Sequence, residues 1–179
     1  MRRTGLVLVL LVGGGVAQAQ STPADTSVAQ TKGDEEFAKQ AAAGGMAEVK
    51  LSRLAMQRAH SVAVKQFARR MVEDHTKANT ELKQIAEKQN LELPQKIDAK
   101  HQAVYDKLSQ LSGPEFDREY MKAMTQDHDA TVAKFKDESQ YGQDPELKSF
   151  AMKTLPVIEK HDNMAHVDES KVKEEAQPR

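Results

Sequence analysis

The chain has 179 residues, 30% of them charged and only 4% aromatic, with no Cys and no Trp. One domain of ordinary size accounts for that length, and the composition suits packed helices and argues against a β-sandwich. Without Cys there is no disulfide framework, thiolate metal site or lipidated cysteine, and a formal net charge of −1 gives no basic footprint for nucleic acid.

At the N-terminus, Arg2 and Arg3 precede the apolar run Leu6–Val12, several glycines and Ala17-Gln18-Ala19. This order reads as a secretory signal peptide over residues 1–19, with cleavage expected after Ala19. The run is too short to remain as a bilayer-spanning helix. The mature protein is therefore expected in the bacterial periplasm, with no membrane span. Cleavage removes two Arg and no acid, leaving 24 basic residues (26 − 2) against 27 acidic ones. Residues 20–33, rich in Ser, Thr, Ala and Gln, read as a disordered linker.

The domain itself is predicted over residues 34–168. Asp34, with Glu35 and Glu36 in the first turn, opens a helix expected to reach about Ala59. Its inward stripe is Phe37, Ala41, Gly44, Glu48, Leu51 and Ala55. Gly44-Gly45 inside it costs about 1 kcal/mol per Gly relative to Ala, which calls for tight helix packing or for room left one turn before Glu48. His60-Ser61 makes a short turn, with Ser61 as N-cap of a second helix running to about Gln89. That helix places Phe67, Met71, His75, Ala78, Leu82 and Ile85 on one face.

From Pro94 to Gly113 there is one short amphipathic segment, carrying Ala103, Val104, Leu108 and Leu111. Gly113-Pro114 starts a third long helix that presents Phe116, Tyr120, Met124, His128, Thr131 or Val132, and Phe135, and closes at Tyr141-Gly142. Asp144-Pro145 restarts the chain as a fourth, presenting Leu147, Phe150, Thr154, Ile158, His161 and Ala165, with Pro156 predicted to kink it. The residues after Asp168, 169–179, read as a charged, frayed tail. Val64-Lys65-Gln66-Phe67-Ala68 is echoed by Leu147-Lys148-Ser149-Phe150-Ala151. The fold class is all-α: a ferritin-like four-helix bundle with a long crossover carrying a short extra helix.

Each long helix sets one hydrophilic residue on its apolar stripe: Glu48, His75, His128 and His161. Counted from the first turn, Glu48 and His75 differ in level by roughly 4–5 Å at about 1.5 Å rise per residue. All four can meet in one layer and hold a single transition-metal ion, Zn, Fe, Mn or Cu. Asp74, Asp127 and Asp162 adjoin the histidines but are turned about 100° away, a position open to orienting the imidazoles though the angle favours solvated charges. Met71, Met124 and Met164 stand at helical offsets from the histidines, a pattern open to Cu(I) but better matched to the filling of irregular core gaps.

GGMAEVKLSRLA, FARRMVEDHTKANTEL, MTQDHDATVAKF and DPELKSFAMKTLPVIEKH together resemble the domain-of-unknown-function family 4142 over roughly Asp34–His166. The resemblance implies a ferritin-like bundle and carries the family's pattern onto Glu48, His75, His128 and His161. Members are often labelled predicted outer membrane proteins, yet no stretch after Ala19 here reads as a membrane span. Di-iron members of the ferritin-like superfamily place a carboxylate three residues before each ligand His. Val72, Thr125 and Ile158 hold those positions here, which argues against a di-iron cage. The expected function is metal binding for envelope metal handling or oxidative stress defence. The alternative is a structural module that meets an envelope protein partner and whose histidines form a buried polar network.

Overall fold

A computed structural model describes residues 23–175, and within them there are five helices and no strand. They are α1 (Pro23–Arg58), α2 (Val62–Gln89), α3 (Ala99–Ser109), α4 (Gly113–Tyr141) and α5 (Pro145–Glu175). The expected signal peptide and the last four residues lie outside the described stretch. No described helix is long and apolar enough to cross a membrane.

Local chemistry sets the helix ends. Asn90 closes α2 in the left-handed conformation, at φ 54°, and its N–H returns to the carbonyls of Ala86 and Glu87. Asp98 caps α3 by accepting from the His101 amide at 2.8 Å. Asp144 caps α5 by accepting from the Glu146 and Leu147 amides at 3.0 and 2.8 Å. Pro156 lies inside α5, and the helix continues past it.

Three expectations change. Residues 23–33, part of the expected linker, are helical, because extending a helix from an existing nucleus is far easier than starting one. The tail is helical as far as Glu175, where Val172 extends the inward stripe of α5 and is buried. Ser61 occupies the N-cap position of α2, but its side chain makes no capping bond.

A carboxylate from another helix holds that turn. Asp117 on α4 is buried and accepts from the amides of His60 (3.0 and 3.2 Å) and Ser61 (2.7 Å). Asp34 on α1 does the same for the α4–α5 turn, accepting from Gln143 (3.2 and 3.1 Å) and Asp144 (2.6 Å). The two arrangements map onto each other at an offset of 83 residues (117 − 34, 143 − 60, 144 − 61). The same offset relates Phe67 to Phe150 and Phe37 to Tyr120. The pair Phe67–Tyr120 (centroids 6.2 Å, 67° apart) accordingly matches the pair Phe37–Phe150 (6.5 Å, 58°). The echo visible over five residues of sequence is one stretch of an approximate twofold repeat that relates α1–α2 to α4–α5.

The apolar side chains form two clusters. One gathers Leu51, Val64, Phe67, Met71, Phe116, Tyr120 and Met124 toward the α1–α2 turn. The other gathers Phe37, Leu82, Ile85, Phe135, Phe150 and Ile158 toward the α4–α5 turn. The polar stripe residues fall between them. The short helix α3 packs on α1 and α4, adding Val104, Tyr105 and the buried Leu108 to the first cluster.

Asp117→Ala should unpair two turn amides and lower stability by roughly 1–3 kcal/mol. Asp34→Ala should cost about as much, since it performs the equivalent task. Urea unfolding measures both. A loss confined to one of the two would show that the turns are not equivalent.

Candidate metal centre

His75, His128 and His161 are each at least nine-tenths buried. They project from α2, α4 and α5 into one layer because their helical spacing places them on the stripes that build the core. Ring centroids lie 5.8 Å apart for His75–His128, 5.3 Å for His75–His161 and 5.8 Å for His128–His161. Imidazoles on one tetrahedral ion, with metal–nitrogen bonds of about 2.1 Å, have centroids about 5 Å apart. One possible ligand atom from each ring lies within 4.8 Å of the others.

The ring nitrogens divide into anchored and free. His128 Nδ1 hydrogen-bonds the Met124 carbonyl at 2.9 Å, and His161 Nε2 hydrogen-bonds Asp74 Oδ2 at 2.9 Å. The opposite nitrogens, His128 Nε2 and His161 Nδ1, have no protein partner, and neither does His75 Nε2. Anchoring one nitrogen fixes the tautomer and leaves a lone pair on the other, the arrangement by which metal-bound histidines are usually held.

Glu48 is brought to the layer but stands to one side. Its Oε1 is 3.8 Å from His128 Nδ1, the anchored nitrogen, and its carboxylate does not join the three-histidine group. Burial, and then the neighbouring Asp127 carboxylate, push its pKa well above the usual carboxylate range. Burial alone would raise Asp127 as well, but its hydrogen bond with His101 and the nearby charges of His101 and Lys100 hold that group far below its ordinary value.

His101 is a member of this network that the helical stripes do not reveal. It lies on α3, with Nδ1 2.8 Å from Asp98 Oδ2 and Nε2 3.2 Å from Asp127 Oδ1. Its hydrogen bond to Asp127 raises its pKa against the opposing effect of burial. Asp127 and Asp74 are therefore not the solvated charges their helical angle predicts, because α3 and α5 supply partners at that angle. Met71 and Met124 are fully buried among the apolar residues of the first cluster, which accounts for them as core.

The Gly44-Gly45 pair has two different explanations. A Cβ on Gly45 would come within 2.0 Å of Asn79 Oδ1, so the Asn79 side chain occupies that space. A Cβ on Gly44 would meet nothing within 4 Å. Both glycines line a cavity of about 500 Å³ that also reaches Glu48, His75 and His128.

A family model described as a domain of unknown function (DUF4142) matches residues 17–167. The chain belongs to this family. No curated protein and no solved structure matches it. The DUF4142 match covers all three histidines, Glu48 and the α3 segment, so the whole network lies within the family's domain.

Burial depresses the pKa of all three clustered histidines, and for His75 the neighbouring His128 and His161 add to the effect. The unfolded chain therefore binds more protons than the folded one below about pH 6.5. Their contribution is present above that pH and is lost as pH falls. In the metal-free protein His75→Leu should flatten the decline in melting temperature between pH 7 and pH 5.5. In an NMR titration His101 should stay protonated to higher pH than the clustered three. A clustered histidine titrating above His101 would contradict this ordering.

Proposed function

We propose that this DUF4142 protein binds one transition-metal ion through His75, His128 and His161, within a ferritin-like four-helix bundle whose α2–α4 crossover carries α3. The observation that carries the reading is the group of three buried imidazoles, each with a nitrogen that has no protein partner, whose possible ligand atoms lie within 4.8 Å of one another. Each unpartnered buried polar group costs about 1–3 kcal/mol. With Glu48 Oε2 also unpartnered, four such atoms in one layer are a large burden on a domain whose net stability is about 5–15 kcal/mol. A bound ion removes most of that cost. The neutral nitrogen donors suit Zn, Fe, Mn or Cu, and three ligands leave a coordination position open toward the cavity.

Glu48 stays beside the ion, next to the anchored nitrogen of His128, and Asp74 orients His161. We place the protein in the periplasm, where such a site serves metal handling or oxidative stress defence. The absence of a carboxylate at Val72, Thr125 and Ile158 supports a single ion over a pair.

Wild-type protein with Zn²⁺ at about 100 times its dissociation constant should gain about 2.7 kcal/mol. For a chain of this length, that raises the melting temperature by roughly 5–10 °C over the chelated form. His128→Ala should abolish the difference, and Asp74→Ala should weaken metal affinity by roughly 10–100-fold. His128→Leu, measured with chelator, should be neutral or stabilising, because it replaces an unpartnered polar group with an apolar one. A chelator-insensitive wild type, together with a His128→Leu loss of roughly 1–3 kcal/mol, would instead favour the buried polar network acting through an envelope partner.

Export is tested separately by mass spectrometry of the mature protein. The expected N-terminus is Gln20, and a chain beginning at Met1 in the periplasmic fraction would contradict cleavage.

A further inference from the structure

The twofold repeat assigns each residue of the metal layer a counterpart. At the offset of 83, His128 corresponds to Gly45, His161 to Ala78, His75 to Ile158 and Glu48 to Thr131. All four counterparts line the cavity of about 500 Å³. The cavity therefore lies where a symmetric arrangement would put a second layer of ligands. Smaller or apolar residues in place of imidazoles leave space in one layer while the other layer keeps its nitrogens.

The vacated layer has a definite chemistry. Phe37, Leu82, Phe135, Phe150 and Ile158 supply its apolar wall, and Asn79, Thr131 and Thr154 line it with polar groups. Its volume lies within the roughly 300–1,000 Å³ usual for small-molecule sites. Three neutral imidazoles leave the charge of a divalent ion unbalanced, and the Glu48 carboxyl, 3.8 Å from the anchored nitrogen of His128, stands outside the three-histidine group. Lys134 lines the cavity, is exposed, and makes no ion pair among the described residues. A ligand that satisfies these features has one anionic oxygen group at one end and an apolar body at the other.

We propose that the cavity binds a small monocarboxylate with an aromatic or aliphatic body, its carboxylate completing the coordination of the ion held by the three histidines. This rests on the metal reading above and goes beyond it by assigning the open coordination position a ligand class.

The test uses cobalt(II)-substituted protein and benzoate or octanoate as probes, followed by visible absorption and calorimetry. Benzoate should shift the cobalt bands and saturate at one per chain. Acetate, with the charge but no body, and benzyl alcohol, with the body but no charge, should each bind at least about tenfold more weakly, a difference of about 1.4 kcal/mol. Gly44→Leu puts a side chain into open space on the cavity wall. It should leave the cobalt spectrum unchanged and weaken benzoate at least about tenfold. Thr154→Leu replaces it as the filling variant if Gly44→Leu does not hold cobalt. Cobalt bands unmoved by either carboxylate up to about 10 mM would overturn the proposal and leave the metal site standing. So would acetate binding as tightly as benzoate, or a cobalt-loaded filling variant that still binds benzoate normally. No cobalt binding at all would overturn the metal reading, and this proposal with it.

Discussion

A layer of nitrogen and oxygen atoms buried between two apolar clusters constrains this molecule more than any other feature. Above and below it, Phe, Leu, Met and Ile fill the space between the helices as in any helical core. Within it, His75, His128, His161 and Glu48 occupy stripe positions where Leu would pack without penalty. Water solvates such groups readily in the unfolded chain, so folding must place each of them at some expense. The surroundings recover part of it: the Met124 carbonyl takes one imidazole N–H, and Asp74 takes another. The inner nitrogens are left to one another. Every other feature of the centre, including the depressed histidine pKa values and the raised one of Glu48, follows from that burial.

The repeat defines two matching layers, and both of its halves contribute to each. One layer holds the nitrogen donors His75, His128 and His161, and the other has Ile158, Gly45 and Ala78 at the matching positions, with Thr131 opposite Glu48. This explains how a scaffold with an approximate twofold axis comes to hold an asymmetric centre. It also resolves the glycine pair, which fits neither close helix packing alone nor spare room alone. Gly45 yields its space to Asn79, while Gly44 leaves a bare stretch of helix wall beside the cavity.

Much of this was legible in the sequence, for a definite reason. A period of 3.6 residues puts Phe67, Met71, His75 and Leu82 on one face, so a polar residue inside that series had to be buried. The four long helices, the short crossover helix and the three histidines followed from the same periodicity. What periodicity cannot convey is what lies beside a helix at a given angle. Asp127 looked solvated because it sits about 100° from His128, yet α3 lies along that side and brings His101 to meet it. Glu48 shares the level of the histidines but turns toward the anchored face of His128, a matter of side-chain direction beyond any count of residues. The echo between Val64–Ala68 and Leu147–Ala151 carries the offset of 83, but five residues were too few to show that it runs through both hairpins, which the exchange of carboxylates between turns made plain.

That exchange has a consequence for how the chain is assembled. The turn between α1 and α2 is closed by Asp117, and the turn between α4 and α5 by Asp34, so each hairpin holds the piece the other lacks. Neither half is a self-sufficient unit. The partners stand more than fifty positions apart for one turn and more than a hundred for the other, so both bonds can form only after the crossover has brought the hairpins together. Because the buried layer draws its histidines from both hairpins, it is completed by the same docking event. The two turns act as a proofreading clasp, engaging only when the halves meet in the register that also aligns the histidines.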